Sequence, residues 1–364
     1  MMVEDGACLS ARGRAARVLT EDRYTRAYWS SGPGVDRKHI STGQVERLGS
    51  TDGPPRLPVK SQAVSSDGAI LTPMTPLSLG LVLLSALAHS SWNLMLKKSD
   101  NQEVFIFCLL VASAVLLAPL GVTLFWLFPF DPIGWLFVLA TVILHVFYFI
   151  LLGRGYAQGD LSLVYPIARG FGPMLVPILA VILLGETIAF PAVLGIIAIV
   201  VGIYIISWTG ELQRFLFQPW SILSNTGARY AVLTGLTIAV YAIIDKRGVS
   251  HVQPFLYMYL MTLGSAVCLF PYIRRKWGTQ ALGRTWRSHR KSIVAAGLLT
   301  FLAYGLVLTA FSLSRVSYIA PAREVGIVVG VLMGVVILKE PFGRARLVGS
   351  AVIMLGLVAI AVSP

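Results

Sequence analysis

Ten apolar runs of about twenty residues follow one another from Met74 onward, and little but a bundle of membrane-spanning helices can be built from such a series. A run of that length covers about 30 Å of hydrocarbon at 1.5 Å per residue. The runs predict spans over 77–96, 103–127, 133–153, 162–184, 188–208, 228–245, 254–273, 292–313, 316–338 and 344–363. Strands of a membrane barrel would be about half as long and would alternate apolar with polar residues. These runs do not alternate, so helices are expected.

Composition agrees, with 56% hydrophobic and 13% charged residues where a soluble domain carries roughly 25% charged. The net charge of +13 would suit a nucleic-acid binder, but Lys and Arg collect in the first 73 residues and in short connections between apolar runs. That is how membrane proteins place anchoring charge, and no aromatic-basic stripe accompanies it. The expected partners are therefore the lipid bilayer and a small-molecule substrate, and not nucleic acid. Cys108 and Cys268 sit inside apolar runs, Cys8 lies in the polar tail, and no CxxC or Cys/His cluster occurs. Nor is there a phosphate-cradling glycine loop, a catalytic triad or a set of metal ligands, so no enzyme, cofactor or metal is expected.

Residues 1–73 form a polar stretch rich in Arg, Gly, Ser and Asp, without apolar periodicity or the apolar core of a signal peptide. They read as a disordered tail, and a sharper reading starts translation at Met74. Beyond the tail the chain repeats itself. At one constant offset Ala168 falls on Ala322, Arg169 on Arg323, Gly172 on Gly326, Glu186 on Glu340, Gly195 on Gly349 and Gly202 on Gly356. Each copy, 74–210 and 211–364, would hold five helices. An odd number makes the second copy enter the membrane from the opposite side, an inverted-topology repeat of the kind found in alternating-access carriers.

Ionisable groups are costly in lipid and should face a cavity or a partner. Ser85, His89, Trp92 and Asn93 share one face of the first helix; Thr141, His145 and Tyr148 share one on the third. The sixth carries Thr234, Thr237, Tyr241 and Asp245, and the eighth Thr300 and Tyr304. Arg169 lies in the fourth helix, and Arg323 and Glu324 in the ninth. A cavity lined by helices one, three, four, six, eight and nine accounts for these faces. Plainer roles stand beside this one. The histidines could bond a neighbouring helix, Asn93 and Asp245 could cap helix ends, and Arg169 could snorkel. Arg323 and Glu324 could neutralise each other, although adjacent helical residues point about 100° apart and favour separate partners. Gly326, Gly330 and Gly334 form a small-residue stripe; Gly195 with Gly202, and Gly349 with Gly356, repeat it at heptad spacing. Pro166, Pro173, Pro177 and Pro321 should kink their helices.

The segments AHSSWNLMLKKS, GDLSLVYPIARG (159–170), LLGE (183–186), SRVSYIAPAREVG (314–326) and ILKEPFGRARLVGS (337–350) together resemble the drug/metabolite transporter superfamily, in its EamA-like ten-helix branch. The resemblance begins at Met74 and leaves the tail outside. It implies a carrier of small metabolites working by alternating access, often proton-coupled, with a central cavity lined by the first, third and fourth helices of each repeat. Glu186 and Glu340 match the acidic residue that closes the fourth helix of each repeat, a role at a tight turn more than at substrate. The resemblance implies cytoplasmic termini, with which the Lys and Arg of the tail agree. The positive-inside rule points the other way: roughly fifteen Lys and Arg flank the connections after odd-numbered spans, against about three elsewhere. The residues thus suggest a secondary transporter of an amino acid or organic anion in the cell membrane. A lipid-linked or nucleotide sugar carrier, a membrane-embedded lipid-modifying enzyme and a non-transporting scaffold are the alternatives.

Overall fold

In lipid the backbone must satisfy its own polar groups, and the described residues from Met74 on do so almost entirely as helix. The computed structural model describes residues 18–20, 23–25, 63–64, 70–71, 74–158, 161–207, 225–338 and 343–363. Within the stretch read as a disordered tail, these residues pair as two short antiparallel ladders. One joins β1 (Val18–Thr20) to β2 (Arg23–Thr25), the other β3 (Ala63–Val64) to β4 (Ile70–Leu71). The rest of 1–73 lies outside the described residues, as does the boundary expected near 210.

The helices are α1 (Pro76–Lys97), α2 (Gln102–Leu116), α3 (Ala118–Leu127), α4 (Pro132–Gln158), α5 (Leu161–Leu184) and α6 (Phe190–Ile206). They continue with α7 (Thr226–Gly248), α8 (Pro254–Leu313), α9 (Val316–Ala322), α10 (Val325–Leu338) and α11 (Arg344–Ala361). Helix starts follow local chemistry. Thr75, Asn101, Asn225 and Gln253 each accept an orphan N–H of the first turn through a side-chain oxygen. Among the described residues seven helices are long and apolar enough to cross a membrane, or eight if the bent pair α2–α3 is one span. Large apolar side chains stand exposed around them, Trp126 at 79% and Val336 at 75%, which suits a perimeter facing lipid.

The predicted runs map onto these helices with three corrections. The run 103–127 bends by 56° where Pro119, in the first turn of α3, cannot donate to the turn before it. The runs 254–273 and 292–313 share α8, because the basic segment between them is itself helical, interrupted only at Gly278 (φ 73°) and His289. Gly278 takes a left-handed conformation open to glycine at little cost. The two arms of α8 run in opposite directions along α2. Glu103 meets Lys276 and Phe107 meets Phe270, whereas Asp100 meets His289 and the Leu109 carbonyl lies against Gly297. Third, the run 316–338 breaks into α9 and α10. Pro321 ends the regular ladder, and Glu324, Gly326 and Ile327 donate instead to carbonyls three residues back. By contrast α5 continues as one helix past Pro166, Pro173 and Pro177.

The tightest packing is between α6 and α11, where both partners lack side chains at the crossing. Around it lie Ala192, Ile196, Ile199, Ile203, Ile353 and Ile360, a small core of its own. Elsewhere α1 packs on α8 and α10, α4 and α5 on α7, and α2 on α8. The stripe of Gly326 and Gly330 meets α1 at ordinary contact distance: Ala86 and Ser90 stand 3.8 Å from a Cβ placed on Gly326.

Candidate functional site

A cavity of about 1110 Å³ opens at one end of the bundle. His89, Trp92 and Asn93 of α1, Tyr148 of α4, Ala168 and Arg169 of α5, Thr234 of α7 and the glycine stripe of α10 surround its inner part. Lys97, Asp100, Glu103, Trp277 and Arg346 surround its mouth. The mouth is braced by Glu103, which accepts from Lys276 Nζ (2.8 and 2.9 Å) and Trp277 Nε1 (2.8 Å). It lies on the side of the connections that carry most of the Lys and Arg.

The predicted site residues divide in two. His89, Trp92, Asn93, Tyr148 and Arg169 line the cavity; outside its lining, His145, Asp245 and Glu324, all buried, cluster with the partly buried Tyr304 and Arg323. The eighth-helix residues Thr300 and Tyr304 were expected in the lining, but the first arm of α8 supplies Leu269, Tyr272 and Ile273 instead. The ends of α2, α6 and α11 also reach the cavity, because its mouth widens past the helices that hold the polar faces.

Trp92 Nε1 donates to His89 Nδ1 (3.2 Å) and Asn93 Nδ2 to the His89 carbonyl (2.8 Å), so the polar face of α1 organises itself along one helix. Arg169 Nη2 lies 2.9 Å from Glu324 Oε2, and Arg323 Nε lies 3.9 Å from Glu324 Oε1. The break between α9 and α10 thus sets one carboxylate between two guanidiniums, with the nearer partner on another helix, as adjacent residues on a helix turn would require. The two arginines at repeat-related positions come together here.

Asp245 is fully buried near the end of α7, where it does not act as a cap. Tyr257 Oη donates to Oδ1 (2.8 Å) and Tyr304 Oη to Oδ2, tying α7 to both arms of α8. The ring of His145 lies 4.4 Å from that of Tyr241 and 5.7 Å from that of Tyr304, while its Nδ1 donates to the Thr141 carbonyl (2.9 Å). Sequence reading missed Tyr257, since nothing in its apolar run points to α7. Charge-assisted hydrogen bonds are worth about 1.5–3 kcal/mol each, so Asp245→Asn should lower stability by about 2 kcal/mol. Thermal unfolding in detergent would read this as a fall in Tm, and adding Tyr304→Phe to Asp245→Asn should lower it by less than the two single effects combined.

The opposite face of the bundle is sealed by polar contacts. Glu186, after Gly185 (φ 67°) at the end of α5, accepts from Val316 N (3.0 Å), Ser317 N (3.0 Å) and Ser317 Oγ (2.5 Å) at the start of α9. Arg315 Nη1 donates to the Thr187 carbonyl (2.6 Å), and the Ala189 N–H donates to Tyr318 Oη (3.0 Å). Lys246 Nζ donates to the Phe311 carbonyl and to the Ser314 carbonyl (2.9 Å), covering the end of α8, and Ser78 shares a hydrogen bond with Ser314 (2.8 Å). Pro321 lies buried within α9 and Pro166 falls in the span of α5, while Glu340 lies outside the described residues.

A sequence model of the EamA-like transporter family matches residues 76–208 and again residues 225–362. No curated protein matches in sequence. A solved crystal structure at 14% identity covers 78% of this chain and 95% of its own, with a TM-score of 0.60, a likeness that concerns the fold alone. With two matched segments spanning most of its length, and helices suited to a bilayer, this multi-pass membrane protein belongs to the EamA-like transporter family and is a membrane transporter of the drug/metabolite superfamily.

Proposed function

We propose that the chain is a secondary active transporter of a small polar metabolite, of the amino acid or organic anion class. It works by alternating access in the cell membrane and is coupled to a proton gradient. One observation carries this reading: the cavity reaches the polar centre from one face, while the Glu186, Arg315 and Lys246 contacts close the other. A carrier that exposes its site to one face at a time needs this asymmetry in each resting state.

The internal repeat supplies the second state. We read 74–210 and 211–364 as five-span halves, ten spans in all, with the arms of α8 counted separately and α2–α3 and α9–α10 each counted once. The packing supports that pairing. The last helices of the halves, α6 and α11, meet glycine to glycine; α1 packs on α8 as α4 packs on α7. Exchange of conformation between two inverted halves would open the sealed face and close the mouth.

Glu324 is our candidate for the coupling group, because one proton there would release the contact to Arg169. Flux in proteoliposomes tests the reading with labelled amino acids, organic anions and sugar phosphates. Saturable uptake should follow an imposed proton gradient, and in Glu324→Gln it should proceed only to equilibrium. Uptake by the wild type that ignores the gradient would remove the coupling role of Glu324. No saturable uptake of any compound by folded protein would defeat the transport reading.

A further inference from the structure

We infer that the inner end of the cavity is a carboxylate-binding site. In it a monoanionic substrate docks on Arg169 in exchange with Glu324, assisted by the Nε2–H of His89. This rests on the transport reading above and names the substrate class for the same cavity. Arg169, Arg323, Glu324 and Asp245 stand around the polar centre, yet of these four only Arg169 lines the cavity. Asp245 lies fully buried under the hydroxyls of Tyr257 and Tyr304, and Glu324 is 2% exposed. A solute at the inner end therefore meets a cation first.

His89 adds a donor. The indole of Trp92 has only an N–H to offer, so His89 Nδ1 accepts and the neutral ring carries its proton on Nε2. Asn93 commits one of its two amide N–H groups to the His89 carbonyl and has the other left to donate beside the imidazole. The polar groups at this depth thus present a planar guanidinium and an imidazole N–H, a set that suits a planar carboxylate accepting from both.

Glu324 makes the site an exchange site. It touches Arg169 at 2.9 Å and stays within 3.9 Å of Arg323, so an incoming carboxylate can take Arg169 while Glu324 remains beside Arg323. The pair of guanidiniums then serves two carboxylates, one from the protein and one from the substrate. Asp245 is engaged by Tyr257 and Tyr304 and takes no part in the exchange, so among Arg169, Arg323 and Glu324 one added negative charge is balanced and the second charge of a phosphate dianion is not.

Binding to the purified full-length protein in detergent decides the matter, with lactate against lactamide, benzoate against benzamide, and phenylalanine against phenylalaninamide. In at least one pair the acid should bind about tenfold or more tighter than the amide, the scale of one charge-assisted contact. Arg169→Gln should abolish that preference. Glu324→Gln, which removes the internal competitor, should tighten the acid by about tenfold, a sign opposite to that of a residue that merely holds the fold. Should Glu324→Gln fold poorly, the double variant Arg169→Gln/Glu324→Gln keeps the local net charge of the wild type and should bind acid and amide alike. Equal binding of acid and amide in every pair, no binding of any acid, tighter binding of phenyl phosphate than of benzoate, or weaker acid binding in a folded Glu324→Gln would each overturn the assignment. Saturable liposome flux of amides or sugars without flux of acids would reject the carboxylate site and leave the transporter reading standing. Acid binding without flux of any compound would do the reverse.

Discussion

Replacing Gly202 with leucine is expected to break the pairing of α6 with α11 and to cost about 3 kcal/mol or more, the upper range for overpacking a close contact. A Cβ on Gly202 would stand 2.8 Å from the Gly349 carbonyl oxygen and 2.6 Å from an Ile353 side-chain carbon. The clash is reciprocal, since a Cβ on Gly349 would stand 2.7 Å from the Gly202 carbonyl oxygen. Two turns along, Gly195 and Gly356 repeat the arrangement, each Cβ falling 2.6 Å from the other's carbonyl oxygen. Side chains can rotate away from such a contact, but a helix backbone can move only by separating the helices. That would forfeit the packing of Ile199, Ile203, Ile353 and Ile360, all fully buried in the wild type. Gly80 of α1 is the control, because a Cβ there meets nothing within 4 Å. Gly202→Leu should shift the melting temperature of the detergent-solubilised protein downward and reduce the monodisperse fraction, and Gly80→Leu should do neither. Equal behaviour of the two variants would mean that the crossing is looser than these distances require.

That crossing was legible in the sequence because it depends on periodicity alone. Small residues at heptad spacing on two otherwise apolar helices mark two surfaces that can meet closely, whichever residues surround them. Arg169, His89 and Trp92 were legible as cavity residues for a related reason, since polar groups in apolar runs need a partner or water. What could not be read was pairing across long stretches of chain. Glu186 finds Val316 and Ser317 about 130 residues away, and Asp245 finds Tyr304 through an arm of α8 whose direction depends on a break at Gly278. The division of the polar residues into a lined cavity and a buried cluster was likewise hidden. Helical periodicity tells which face a residue occupies, but the depth of that face depends on which neighbour covers it. The bend before α3 had its proline in view, yet hydropathy continues unchanged through it, so one run was read where two helices stand.

Glu186→Ala should cost about 3 kcal/mol, because it leaves two backbone N–H groups and a hydroxyl without their acceptor in a site closed to water. Val316 N, Ser317 N and Ser317 Oγ all donate to this one carboxylate, which is 5% exposed. The same contacts join the end of α5 to the start of α9, and these elements carry Arg169 and the break at Arg323 and Glu324. Loosening them should therefore do more than destabilise. It should let the sealed face open, since an equilibrium between two closed arrangements shifts by whatever one of them loses. Ser78 reports on this directly, because it is fully buried beside Ser314 on that face. In a background with Cys8, Cys108 and Cys268 replaced by alanine, a cysteine placed by Ser78→Cys should react slowly with a membrane-impermeant maleimide. Adding Glu186→Ala should raise that rate several-fold, while Glu186→Gln, which keeps one acceptor oxygen, should fall between. A drop in melting temperature without any gain in labelling would make Glu186 a fastener for α9 and nothing more. A gain in labelling at unchanged melting temperature would make it a latch whose strength is matched by contacts on the other face.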